Sequence, residues 1–288
     1  MNSQIRTQQV PAAGYVFEVD VAGELDRPLV LLLHGFPQTS YAYRHTLPVL
    51  ADAGYLAVAP NQRGYSPLAR PPEVQDYATR HLLADALAIA TAFGAERFHL
   101  VGHDWGGQLA WLIAASKPER LQSLCVLSRP HPAAFVAALE HDPKQSERSR
   151  HHRAFNDPNM TVRLLENGAA RLRRMLADQG VAEPDVNAYL SKLSDPSTLE
   201  AALNWYRAAQ GGMRSAASPA PLPAIRTPTL YVWGELDASV GRSAAEATAG
   251  HVDAPYQFEC LPNVGHFLTD QVPDRIHALI LPHLRKYA

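Results

Sequence analysis

The chain has 288 residues, 47% hydrophobic and 19% charged, which is globular composition and excludes the charge-rich, apolar-poor pattern of disorder. Lys and Arg total 26 against 28 Asp and Glu, a formal charge of −2 with no basic stripe to neutralise phosphates, so nucleic acid is not expected as a partner. At roughly 150 residues per domain, the length allows one large α/β domain or a domain with a substantial insertion.

In chain order, Met1 to Val10 is polar and lacks an apolar secretory stretch, and the longest early apolar run, Leu29 to Leu33, is far below membrane-spanning length. A cytoplasmic protein with no membrane partner is expected. Val16 to Val21 sets Phe17, Val19 and Val21 on one face of a strand, while Leu29 to Leu33, Tyr55 to Ala59, Phe98 to Val101 and Leu121 to Leu127 are short apolar runs closed by turn residues. Such runs suit strands buried on both faces. Helical stretches lie between them, the clearest from Asp76 to Phe93 with Leu82, Leu83, Ala86, Leu87, Ala90 and Phe93 in one stripe. The alternation predicts an α/β fold, a mostly parallel sheet flanked by helices.

The pattern changes at about Arg129, beyond which helical segments rich in Arg, His, Ala and Gln replace strand-like runs. Ser218-Pro219-Ala220-Pro221-Leu222-Pro223 ends this region, being too proline-rich for helix or sheet interior. Strand-like runs resume at Thr229 to Trp233 and Pro255 to Cys260, and the last helix is predicted from about Asp274 to Tyr287. The expected architecture is a core of residues 1–128 and 222–288 carrying a helical lid at 129–221. Cys125 and Cys260 fall in strand-like runs and read as buried thiols; two cysteines make no disulfide framework and lack zinc-ligand spacing.

The strongest chemical signal is Val101-Gly102-His103-Asp104-Trp105-Gly106-Gly107, after a strand and before the apolar helix Gln108 to Ser116. Small residues around position 104 are what a sharp strand-to-helix elbow requires, because the backbone is strained there and neighbouring chains approach closely. The tip residue is thrust out over the sheet edge, and here it is Asp104, a candidate nucleophile. The alternative is an aspartate that merely caps the following helix.

At this elbow the sequence resembles the α/β-hydrolase superfamily, specifically its aspartate-nucleophile branch of epoxide hydrolases and haloalkane dehalogenases. The resemblance covers nearly the whole chain and includes His34-Gly35-Phe36-Pro37 and Asn61-Gln62-Arg63-Gly64-Tyr65-Ser66, although the family usually has Asp where Asn61 stands. That fold supplies its residues in the order nucleophile, acid, histidine. Asp237 in Trp233-Gly234-Glu235-Leu236-Asp237 and His266 in Asn263-Val264-Gly265-His266-Phe267 match the acid and base positions, with Glu235 as the rival acid. The resemblance further implies an oxyanion hole made by the backbone N–H groups of Phe36 and Trp105.

A carboxylate attacking an sp3 carbon makes an alkyl ester of Asp104 and displaces an epoxide oxygen or a halide, after which water activated by His266 must cleave the ester. An ordinary esterase is disfavoured. An epoxide oxygen stays on the substrate and needs a proton donor, whereas a halide needs only N–H groups around it. Haloalkane dehalogenases pair the Trp after the nucleophile with a second donor, another Trp or an Asn at the third position of the His-Gly motif; Trp105 is present but position 36 is Phe. Haloacetate dehalogenases carry Arg where Trp105 stands. Epoxide hydrolases use a lid tyrosine in a segment resembling Leu203-Asn204-Trp205-Tyr206-Arg207, which makes Tyr206 the implied proton donor, against the alternative that these aromatic residues simply pack beneath the lid. Most relatives carry a second lid tyrosine where His151 falls, and a minority use a His/Tyr pair.

The other histidines form no ligand set: His151 and His152 are adjacent, and His131 and His141 have no carboxylate or cysteine at ligand spacing. No metal and no cofactor are expected. Arg148, Arg150, Arg153, Arg171, Arg173 and Arg174 read as solvated lid faces, a few of which could meet an anionic substrate. The sequence therefore predicts an epoxide hydrolase acting on a small-molecule epoxide. A dehalogenase is the alternative, and a non-catalytic ligand receptor on the same fold is a third reading. Oligomeric state is left open.

Overall fold

The computed structural model describes residues 3–215 and 222–288, with side chains outside 210–215. Eight strands, β1 (Arg6–Ala12), β2 (Tyr15–Ala22), β3 (Leu29–Leu33), β4 (Leu56–Pro60), β5 (Phe98–His103), β6 (Leu121–Leu127), β7 (Thr229–Gly234) and β8 (Tyr256–Leu261), form one sheet in the order β1-β2-β4-β3-β5-β6-β7-β8. The β1–β2 and β2–β4 pairs are antiparallel, and every pair from β4 onward is parallel. All residues of β3, β4, β5 and β7 are buried, the physical reason their sequences are continuous apolar runs.

Helices α1 (Thr46–Asp52), α2 (Thr79–Ala92) and α3 (Trp105–Ser116) connect the early strands. Between β6 and β7 come α4 (Pro132–His141), α5 (Pro143–Arg148), α6 (Arg150–Ala154), α7 (Met160–Ala177), α8 (Glu183–Leu193) and α9 (Pro196–Ser215), and α10 (Arg242–Ala247), α11 (Leu268–Gln271) and α12 (Pro273–Lys286) close the chain. Helix α3 lies along β3, β5 and β6 beside α2, whereas α1 and α12 pack on each other and on β4 and β6. The helical segment between β6 and β7 is tied to the sheet domain by buried polar contacts: Tyr189 donates to Asp270 (2.9 Å), Gln145 donates to the Ser239 carbonyl and accepts from the Gly241 N–H, and the Trp205 indole donates to the Arg63 carbonyl (2.9 Å). No helix among the described residues is long and apolar enough to cross a membrane.

Three local expectations change. The polar segment Arg6–Ala12 is a strand, since an edge strand needs only Val10 and Ala12 on the core side and its main-chain bonds to β2 do the rest. In α2 the buried face is Leu82, Asp85, Ala86, Ile89 and Ala90, rotated from the expected stripe because Asp85 turns inward to a bidentate pair with Arg63 (2.6 and 2.7 Å). Cys125 is buried as expected, but Cys260 is only partly covered because β8 is an edge strand of the sheet; both thiols are free. Of the proline-rich exit, Ser218 to Pro221 lie outside the described residues.

Candidate active site

The C-terminal ends of the parallel strands converge on one crevice, where an open α/β sheet presents its functional loops. Asp104 follows β5 directly, with φ 50° and ψ −115°, a left-handed conformation that costs a non-glycine residue on the order of 1–3 kcal/mol and persists only where its surroundings impose it. The surroundings do so by crowding. A Cβ on Gly106 would lie 2.0 Å from the Leu33 carbonyl oxygen, and one on Gly35 would lie 2.4 Å from the Asp104 carboxylate, so neither position can carry a side chain. The elbow thus packs its backbone against β3 and leaves the Asp104 carboxylate beneath the loop that follows β3.

On that loop the Phe36 N–H donates to Asp104 Oδ1 at 3.0 Å. The Trp105 N–H heads α3, where no intrahelical carbonyl can reach it, and makes no hydrogen bond to Asp104 among the described residues. The other carboxylate oxygen, Oδ2, faces His266 Nε2 at 3.8 Å, beyond hydrogen-bond range. Burial by itself would raise the Asp104 pKa, but His266, His103, Arg129 and the Phe36 N–H together hold it below the usual carboxylate value.

His266 is fixed from behind. Its Nδ1 donates to the buried Asp237 carboxylate at 3.0 and 3.1 Å, and the His103 ring Nε2 donates to the His266 carbonyl at 2.8 Å. This tautomer leaves Nε2 with its lone pair toward Asp104. Burial would lower the His266 pKa; the adjacent Asp237, by charge and by hydrogen bond, and then Asp104 raise it above 6.5. Asp237 also accepts from the Ser239 and Val240 N–H groups at 2.7 and 2.9 Å, and its pKa is lowered in spite of burial, chiefly by His266. Glu235, two residues earlier, is exposed and pairs with Arg242, away from the histidine.

Tyr206, on α9, is buried in an aromatic cluster with ring centroids 5.1 Å from Trp105, 5.7 Å from Phe36 and 4.8 Å from Phe155. Burial, and next the negative Asp104, push its phenol well above 10, so it keeps its proton across the neutral range. His151 lies 6.4 Å from the Tyr206 ring, and its Nδ1 donates to the Arg148 carbonyl at 3.0 Å. Burial lowers the His151 pKa, so the neutral ring carries its proton on Nδ1 and its free Nε2 is an acceptor. The Trp205 indole N–H is already committed to the Arg63 carbonyl.

A family model described as the alpha/beta hydrolase fold matches residues 28–271, which takes in the elbow, Asp237 and His266. The chain belongs to the α/β-hydrolase family. It is 32% identical to the AB hydrolase superfamily protein YfhM of Bacillus subtilis, covering 98% of both chains, and 31% identical to Epoxide hydrolase A of Mycobacterium tuberculosis, covering 96% of both. Among solved structures, epoxide hydrolases of this superfamily from hot-environment metagenomes include one with a TM-score of 0.87 at 29% identity, covering 98% of this chain and 99% of that one. Within the α/β-hydrolases the chain therefore groups with the epoxide hydrolases.

Two residues of this α/β-hydrolase site escape a reading of its sequence. Ser128, at φ 66° just beyond β6, donates to Asp237 Oδ2 at 2.6 Å and lies 2.9 Å from His266 Nδ1. Arg129 is held on Gln108, and its positive charge helps to keep the Asp104 pKa low. Neither belongs to a glycine-marked motif; the available signal was their place at the C-terminal end of a central strand. Arg148, expected on a solvated face, donates to the Asp237 carbonyl at 2.6 Å. Among the described residues no group of three His, Cys, Asp or Glu could hold a metal ion.

Proposed function

We propose that this α/β-hydrolase converts an epoxide and water into a vicinal diol through an ester on Asp104, beneath a lid formed by α4–α9. The observation that carries the reading is a buried, proton-bearing tyrosine, Tyr206, packed on Trp105 next to an ionised Asp104. Asp104 Oδ2 would attack an epoxide carbon while the ring C–O bond breaks and the departing oxygen takes the Tyr206 proton. Water then loses a proton to His266 Nε2 and attacks the ester carbonyl carbon. The resulting oxyanion develops at Oδ1, which accepts from the Phe36 N–H, and the Trp105 N–H that opens α3 would be its second donor. Collapse releases the second alkoxide, which takes the proton held by His266. The ester carbon's hydroxyl proton is lost to solvent and returned to the Tyr206 phenolate, restoring both groups.

The 3.8 Å gap between Oδ2 and His266 Nε2 suits this sequence, because it leaves the carboxylate free to attack carbon and leaves room for a hydrolytic water. His151 enters the reading as a partner of Tyr206. Its neutral tautomer accepts rather than donates at Nε2, so the Tyr206 phenol carries the proton transfer. A dehalogenase is less well supported: Phe36 offers no side-chain donor, and the lid indole, Trp205, spends its N–H on the Arg63 carbonyl.

A single turnover in oxygen-18 water tests the mechanism. Label is expected in the Asp104 carboxylate, and His266→Gln should accumulate an adduct with the mass of the intact substrate. Label entering the diol directly, with the protein unlabelled and no adduct in the variant, would sink the two-step reading.

A further inference from the structure

The buried arginines of the core have carboxylate partners. Arg44 is paired with Asp185 and Asp270, and Arg63 with Asp85. Arg129, which is only partly buried, is different. Its Nε donates to Gln108 Oε1 at 3.0 Å and its guanidinium stacks on Phe135 at 4.0 Å, but its two Nη groups have no hydrogen bond or ion pair among the described residues. Both ends of the residue are held. The Trp111 indole donates to its carbonyl at 3.0 Å, and its Cβ stands where a Gly107 side chain would clash, at 2.8 Å.

The residues that hold the guanidinium connect it to the site. Gln108, which grips Nε, is the residue whose N–H bonds the Asp104 carbonyl (2.9 Å), and Phe135, beneath the guanidinium, touches His152, which in turn packs on Tyr206 at 5.5 Å. The negative charges of Asp104 and Asp237 act on the Arg129 guanidinium. A guanidinium that is partly withdrawn from water and has no internal carboxylate is only partly compensated, and the edge left open by an Nε-anchored arginine is the edge that binds a carboxylate through two parallel N–H bonds.

We propose that Arg129 is a specificity-determining residue that receives a carboxylate carried by the substrate epoxide. The inference rests on the epoxide-hydrolase reading and narrows its substrate class. Carboxylate and Asp104 would repel each other in the same crevice, and the guanidinium between core and lid offsets that repulsion.

The test uses the full-chain enzyme on terminal epoxides bearing a carboxylate one to five carbons from the ring, each beside its primary amide. At one or more chain lengths the acid should exceed the amide in kcat/KM by about 10- to 100-fold, the size of a charged hydrogen-bonded contact, and mainly through KM. In Arg129→Gln that acid-to-amide ratio should fall to about one, and Arg129→Lys should restore part of it. The unmodified enzyme's acid preference needs no variant to fold. Diol formation from amides with no preference for any acid would overturn this inference and leave the epoxide-hydrolase reading intact. A loss in Arg129→Gln that is equal for acids and amides would also overturn it, showing that Arg129 acts through Asp104 instead. Failure of every acid, amide and neutral epoxide to yield diol would instead remove the underlying activity.

Discussion

The Ser128 hydroxyl donates to Asp237 Oδ2 at 2.6 Å while its oxygen lies 2.9 Å from His266 Nδ1, so one side chain closes a triangle with the acid and the histidine. All three groups are buried, where a lost hydrogen bond is not replaced by water. Ser128→Ala should therefore lower stability by about 1–3 kcal/mol and slow hydrolysis of the alkyl-enzyme about tenfold, with alkylation less affected. Because residue 128 sits at φ 66°, Ser128→Gly is the companion variant that removes the hydroxyl without the strain of a Cβ there. Thermal melts with rapid-quench separation of the two half-reactions check this; equal slowing of both steps would mean that Ser128 supports the elbow and not the histidine.

Acid should separate the half-reactions. In the proposed mechanism hydrolysis needs neutral His266, whose pKa is raised above 6.5, so its rate should fall about tenfold per pH unit below that raised value. Alkylation needs ionised Asp104, whose pKa is held below 3.8, and protonated Tyr206, whose pKa is above 10. Both conditions are met near pH 5. Intact-mass measurement during turnover at that pH should find the adduct accumulated, and at pH 8 it should be scarce. Asp237→Asn removes the largest influence raising the His266 pKa, so its acid limb should move to lower pH while hydrolysis slows overall. An unmoved limb would shift the acid role to another carboxylate.

Tyr206→Phe should depress epoxide alkylation by about 100-fold or more, the usual scale of general acid catalysis, and spare any displacement of halide, which leaves without a proton. His151→Gln should cost less, because the neutral ring's free nitrogen accepts. Parallel assays of diol and halide across matched substrates make the comparison. If Tyr206→Phe loses both reactions equally, Tyr206 is a packing residue; halide release without diol from any epoxide would make the enzyme a dehalogenase.

The sequence by itself determined what depends on local sterics and on burial along one element. The glycines around Asp104 mark a place where β3 approaches within contact of the elbow, and the short, mostly apolar runs of β3 to β7 mark strands covered on both faces. The order Asp104, Asp237, His266 is legible for the same reason, since each residue lies at or on the loop after a recognisable strand. What the tertiary structure alone decided is which side chains meet across the sheet. Ser128 reaches Asp237 only because β6 and β7 are neighbours, and Asp237 is distinguished from Glu235 by which of the two turns inward to His266. Arg129 is one arginine among many in the sequence, and its unpaired fork follows from Gln108, Phe135 and Trp111 converging on it from α3 and α4. Partnerships of this kind depend on strand order and helix docking, to which the spacing of residues along the chain gives no access.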